Sequence, residues 1–183
     1  MNQRLSPLQP PFNSDVSAAL ANYPKQDGYL LQLFRVFANS LRFLNKGVVN
    51  LLDEKSPLLL RQRELVILRV CANNNCEYEW GVHISIFAQK AEFTEIQIES
   101  TRLGDANCEC WVNEESTLIR VVDQLCESGT LSNDLSKQFA NEWTTEQQLE
   151  IIALCGNYHT VSFVANVANL QSEPFAAKFP TRL

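Results

Sequence analysis

The sequence predicts an all-α protein, and two observations carry that expectation. Apolar residues recur at i, i+3, i+4 and i+7 over most of the chain, with helix start and stop signals between the stripes. No stretch keeps the strict apolar/polar alternation of a half-buried strand. Taken in order, residues 1–12 carry three prolines and read as an extended arm, free or laid on a partner subunit. The segment 1–27 is therefore an arm and lead-in, 28–170 a single helical domain and 171–183 an irregular tail with two prolines. From Gly28 onward, Leu30, Leu33, Phe34, Phe37, Leu41, Leu44 and Val48 form one amphipathic helical stripe. Ser56-Pro57 starts the next helix, with proline in its tolerated first turn.

An Asn73-Asn74-Asn75 turn follows, and Asn75 is read as the N-cap of the helix after it, with Glu77 in the first turn. Thr94 and Gln97 make a capping box, flanked by a Phe93–Ile98 staple. Residues 103–111 form a loop, and a helix from about Glu115 to Glu127 ends at Ser128-Gly129. Ser132 or Asn133 caps a short helix ending near Trp143. Thr144 and Thr145, each with Gln three residues on, open a last long helix towards Leu170. The likeness of Glu64-Leu-Val-Ile-Leu to Glu150-Ile-Ile-Ala-Leu is read as two buried helices obeying one pattern.

Composition excludes several function classes. The chain has 183 residues, 45% hydrophobic and 20% charged, with a net charge of −6. With a pI near 5.0 and no basic stripe, it does not read as a nucleic-acid binder. No apolar run approaches the roughly 20 residues of a membrane span, and the N-terminus lacks a signal-like apolar core. A cytoplasmic address is expected. The six cysteines, at 71, 76, 108, 110, 126 and 155, are expected to be free thiols there. Cys71, Cys126 and Cys155 lie in apolar helical stretches and read as core residues. Cys108-Glu109-Cys110 lies in the loop before Trp111. It has no matching Cys/His pair for a zinc site and reads mainly as packing, with a redox role as the lesser alternative.

The chemistry concentrates in residues 64–83. On a helix starting near Cys76, a step of about 100° per residue puts Cys76, Glu79 and His83 within about 60° of one another. Trp80, Ile86 and Phe87 occupy or flank that face, so the polar trio sits on a burying surface. On the preceding helix Glu64 shares the apolar face with Ile67, Leu68 and Cys71, while Arg69 points away. A carboxylate buried there needs a partner, and His83 on the neighbouring helix is the natural one. Glu79 and His83, four apart, are within hydrogen-bond reach. A first-turn Cys76 would gain thiolate character from the helix dipole, opposed by repulsion from the two carboxylates. Glu64, Glu79 and His83 also make a carboxylate–imidazole set for zinc or iron, ranked lower because the spacing is not that of di-iron bundles. Tyr78 and Trp80 read as packing; Tyr158, His159 and Asn166 as weaker pocket-lining candidates. Arg61 and Arg63 read as partners for glutamates or guides for an anionic substrate.

These residues resemble the signature of the carboxymuconolactone decarboxylase and alkylhydroperoxidase D-like superfamily. The match runs through Arg61-x-Arg63-Glu64-Leu-Val-Ile-Leu-Arg, Asn75-Cys76-Glu77-Tyr78-Glu79-Trp80, His83 and Phe93-Thr94-x-x-Gln97-Ile98. It is firm over 58–100 and looser over 28–170. The resemblance implies a helical bundle assembled as trimers or hexamers, a small-molecule substrate, and no metal or other cofactor. The alkylhydroperoxidase branch carries Cys-x-x-Cys-x-x-x-His with an upstream Glu. Here Glu64, Cys76 and His83 match, but Glu79 stands where that branch has its peroxide-reactive cysteine. Catalytic roles are therefore expected at Glu64, Cys76, Glu79 and His83. The preferred chemistry is proton transfer on a small carboxylate, lactone or carbonyl compound. The alternatives are a thiol peroxidase of peroxiredoxin type through Cys76, and a binding protein without catalysis.

Overall fold

The computed structural model describes residues 5–181. Among them are nine helices: α1 Ser14–Leu20, α2 Gln32–Phe37, α3 Leu41–Lys46, α4 Leu60–Asn73, α5 Glu77–Phe87, α6 Glu95–Leu103, α7 Asn113–Ser128, α8 Asn133–Glu142 and α9 Thr145–Val167. The all-α expectation holds. Helix α4 is the axis of the bundle, packed against α5, α6, α7 and α9. Every residue from Glu64 to Ala72 is consequently buried. A helix enclosed on all sides has no solvent face, which corrects the reading of Arg69 as outward-pointing. Arg69 is buried and makes a bidentate pair with Asp123 (2.6 and 2.8 Å) while donating to the Thr101 and Gly104 carbonyls. It ties α4 to α7 and to the end of α6.

Several local signals act where they stand in the sequence. Thr94 and Thr144 cap α6 and α9, each with its glutamine returning the bond, and Ser132 caps α8. Gly129 takes a left-handed φ of 71° at the end of α7, a conformation costly for a residue with a Cβ. Other boundaries differ. The stripe begun at Leu30 is split into α2 and α3, because Ser40 adopts an extended conformation and caps α3 by accepting from the Phe43 amide. Ser56-Pro57 precedes α4 rather than starting it; the Ser56 hydroxyl bonds Glu150 and the Leu58 amide. Asn75 is not the N-cap of α5. It takes a left-handed φ of 51°, and Cys76 is the cap residue.

The two ends are held to the bundle. Residues 1–4 and 182–183, parts of the expected arm and tail, lie outside the described residues. Further along the expected arm, Leu8 and Ser6 bond to Arg35 and Asn39, and α1 packs on α3. Among its described residues, 171–181, the tail has no helix, yet it grips α5. The Ala177 amide donates to the Gly81 carbonyl and the Ser85 hydroxyl, and the Phe179 amide donates to Glu77. Phe179 packs on Trp80. A Cβ on Gly81 would lie 2.1 Å from the Ala177 carbonyl oxygen, so only glycine admits this close approach. Among the described residues no helix is long and apolar enough to cross a membrane.

Candidate active site

Two facing helices deliver the acid–base groups. Glu64 stands one turn into α4, and His83 lies towards the end of α5. The tail holds α5 along Glu77, Gly81 and Ser85, residues spaced by four that share one face. Glu79 and His83 lie about 160° around the helix from Gly81, so the clamp presses them inward.

His83 is the hub. Its Nδ1 lies 2.7 Å from Glu64 Oε2, and its Nε2 lies 3.0 Å from the Tyr158 hydroxyl and 3.5 Å from Glu79 Oε1. All four side chains are buried. Burial by itself would strip the proton from the imidazole. The Glu64 carboxylate, with help from Glu79, outweighs it and raises the His83 pKa to about 10. His83 is therefore an imidazolium at neutral pH, donating from both ring nitrogens. Burial, reinforced by the negative charges of Glu79 and Glu64, pushes the Tyr158 phenol well above its ordinary value and keeps it protonated. Glu79 Oε2 is buried with no hydrogen-bond partner among the described residues, an open acceptor beside the imidazolium.

Cys76 sits in a different setting from the other three, Glu64, Glu79 and His83. It is fully buried and lies near Glu79, Cys71 and Ser162. Burial raises its thiol to about 11; the Glu79 amide lowers it only in part, and the Glu79 carboxylate raises it further. The balance left open between the helix end and the nearby carboxylates falls to a neutral thiol, because desolvation outweighs the helix end. The structure thus brings Glu64, Glu79 and His83 together and leaves Cys76 without a hydrogen bond to His83 or Glu64. Among the described residues no group of three or more His, Cys, Asp or Glu side chains is arranged to hold a metal ion, which includes the set considered for zinc or iron.

Tyr158 was ranked among the weaker candidates and is the group on His83 Nε2. Its signal was a phenol within the buried stripe of α9, which contains Ile151, Leu154, Cys155, Val161 and Ala165. Asn166 instead donates to the Asn74 carbonyl, and His159 Nε2 lies 3.2 Å from the Cys126 sulfur. Arg61 pairs with Glu115, one of the two readings of it, and also bonds the Ala91 and Glu92 carbonyls and lies over Phe93. Arg63 donates to the Asp53 carbonyl. Tyr78 is buried and bonds Glu173, while the Trp80 indole donates to Thr101. Two surface clefts lie elsewhere. One of about 320 Å³ is lined by Asn73, Asp123, Cys126 and His159, and one of about 160 Å³ by Leu59, Arg61 and Val112. Their volume does not make them the site, since neither contains the acid–base cluster.

Fold and geometry define a helical protein with a sealed carboxylate–imidazole–phenol cluster between its central helix and two neighbours. Residues 41–124 match the model of the carboxymuconolactone decarboxylase family, a span that includes Glu64, Cys76, Glu79 and His83 but neither Tyr158 nor the tail. That match supports membership in the carboxymuconolactone decarboxylase and alkylhydroperoxidase D-like superfamily. No curated protein matches it.

Proposed function

We propose that the chain is an acid–base enzyme acting on a small carboxylate, lactone or carbonyl compound, with His83 as the proton donor. The observation that supports this best is the bridging of His83 between Glu64 at 2.7 Å and the Tyr158 hydroxyl at 3.0 Å, both buried. Glu64 holds the imidazolium; Glu79, whose Oε2 is unpaired, accepts a proton from the substrate or a substrate donor. Tyr158 positions Nε2 and stays neutral. Phe87, half-buried with its ring 5.3 Å from that of His83, is the side chain whose rotation would admit a small molecule. The thiol reading is less favoured, because a thiolate at Cys76 is rare at neutral pH when its pKa stands near 11.

Turnover of a panel of small lactones and carboxylates by the wild-type chain and three variants tests the proposal. Cys76→Ser should keep activity, while His83→Gln and Glu79→Gln should each lose at least a hundredfold in kcat/KM, in the range of general acid–base contributions. Loss in Cys76→Ser with retention in His83→Gln would overturn the assignment and return the thiol mechanism.

A further inference from the structure

A second pair of reactive side chains lies outside this cluster, in the loop between α6 and α7. Cys108 and Cys110 are half-buried there, with their sulfurs 2.7 Å apart. Two thiols at ordinary contact sit well over 3 Å apart, and a disulfide measures about 2.05 Å. The backbone therefore holds these sulfurs most of the way to bonding distance. The loop is pinned on both sides of the pair. The Cys108 amide donates to the Asp105 carbonyl and the Trp111 amide to the Cys108 carbonyl. Gln97 Nε2 donates to the Cys110 carbonyl, and Ser116 donates to the Ala106 carbonyl. Ring closure in a segment already ordered gives up little chain entropy.

The two sulfurs are not equivalent. The Cys110 amide lies 3.5 Å from the Cys108 sulfur and points its N–H at it. Hydrogen bonds from Cys110 lower the Cys108 thiol below its ordinary value, whereas burial and the adjacent Cys108 raise Cys110 to about 11. Unlike Cys76, this pair has a sulfur that is both accessible and stabilised as a thiolate.

We propose that Cys108 and Cys110 are a redox-active dithiol exchanging with an external low-molecular-weight disulfide, Cys108 attacking and Cys110 resolving. The Cys108 thiolate attacks one sulfur of the external disulfide. That S–S bond breaks, a first thiolate leaves and takes a proton from solvent, and a mixed disulfide forms at Cys108. Cys110 then gives its proton to solvent and attacks the Cys108 sulfur, and the second thiolate leaves and is protonated. Two electrons pass from the pair to the external disulfide, which takes up two protons from solvent, those released by Cys108 on ionising and by Cys110, and becomes two thiols while an intramolecular disulfide forms. A disulfide in so short a loop is strained and readily reduced, so the step runs backwards with an external dithiol. Asp105 and Glu109, exposed beside the pair, favour neutral or cationic disulfides over anionic ones.

The test is exposure of the reduced full chain to cystamine, a cationic disulfide, followed by alkylation and peptide mapping. In the wild-type chain the peptide spanning both residues should lose two hydrogens and resist alkylation, while Cys71 and Cys155 stay free. Cys110→Ser should stop at the cystamine adduct on Cys108, and Cys108→Ser should react at Cys110 about tenfold more slowly or worse. Full alkylation of both residues in the cystamine-treated wild-type chain would overturn the proposal. So would a Cys110→Ser variant that carries its adduct elsewhere than Cys108.

Discussion

Glu64 and Glu173 are both 2% exposed, yet their surroundings are opposite in kind. Glu173, on the tail, accepts from the Tyr29 and Tyr78 hydroxyls and from the backbone and side-chain nitrogens of Gln32. These four bonds match the acceptor capacity of a carboxylate, and every donor is uncharged. Tyr78 sits well above its ordinary pKa, chiefly because it is buried and then because it donates to Glu173. Tyr29 and Tyr78 are both held above their ordinary values and keep their protons, so the cluster works as a fastener between the tail, α2 and α5. Glu64 instead faces one titratable imidazolium, beside a second carboxyl with an unpaired oxygen. Burial alone thus does not mark a site. A charge balanced by a movable proton, next to an unsatisfied acceptor, is what makes the Glu64 cluster the candidate.

Substitutions at the two glutamates sharpen the contrast. Glu64→Ala leaves the imidazolium buried without its main partner and should cost about 3–5 kcal/mol in urea denaturation. Glu173→Gln replaces acceptor capacity by an amide donor and should cost about 1–3 kcal/mol. It should also release the tail to limited proteolysis while leaving the His83 titration in place. If the two variants lost equal stability with identical pH profiles, the distinction would collapse.

The pH dependence separates them further. The folded-state pKa of His83 is raised, so its contribution is complete below the unfolded value of about 6.5 and is lost as pH rises towards about 10. The buried cysteines and Tyr158 ionise later, and Cys108, whose thiol is lowered, is removed by Cys108→Ser, so in that background the window from about pH 6.5 to 8.5 reports on His83. Stability should fall there by roughly 1 kcal/mol per pH unit. That slope should flatten in Glu64→Gln and persist in Glu173→Gln, as read from denaturation midpoints in buffers across the window. Gly81→Ala probes the clamp between the regions. Its Cβ meets the Ala177 carbonyl, so a loss of about 1–3 kcal/mol and a loosened tail are expected. The smallest effect is at a cap distant from both: Thr144→Ala should cost about 1 kcal/mol, seen as a modest drop in Tm.

Much of the secondary structure and half of the candidate site were legible in the sequence, because their signals act within one or two helical turns. The capping boxes at Thr94 and Thr144, the stop at Gly129, and the facing of Glu64, Glu79 and His83 follow from 3.6-residue periodicity and local hydrogen bonding. Ser40 was a similar local signal, masked by an apolar stripe that continues in register across the break between α2 and α3. Tertiary structure alone decided what depends on distant partners. Tyr158 reaches His83 across 75 residues, and Glu173 reaches Tyr29 across 144. Arg69 is buried because α4 is surrounded, and Cys76 is a neutral thiol because the fold desolvates it more than its helix end stabilises it. Local sequence specifies which groups share a face; desolvation and long-range partners, set only when the helices pack, decide which carry charge.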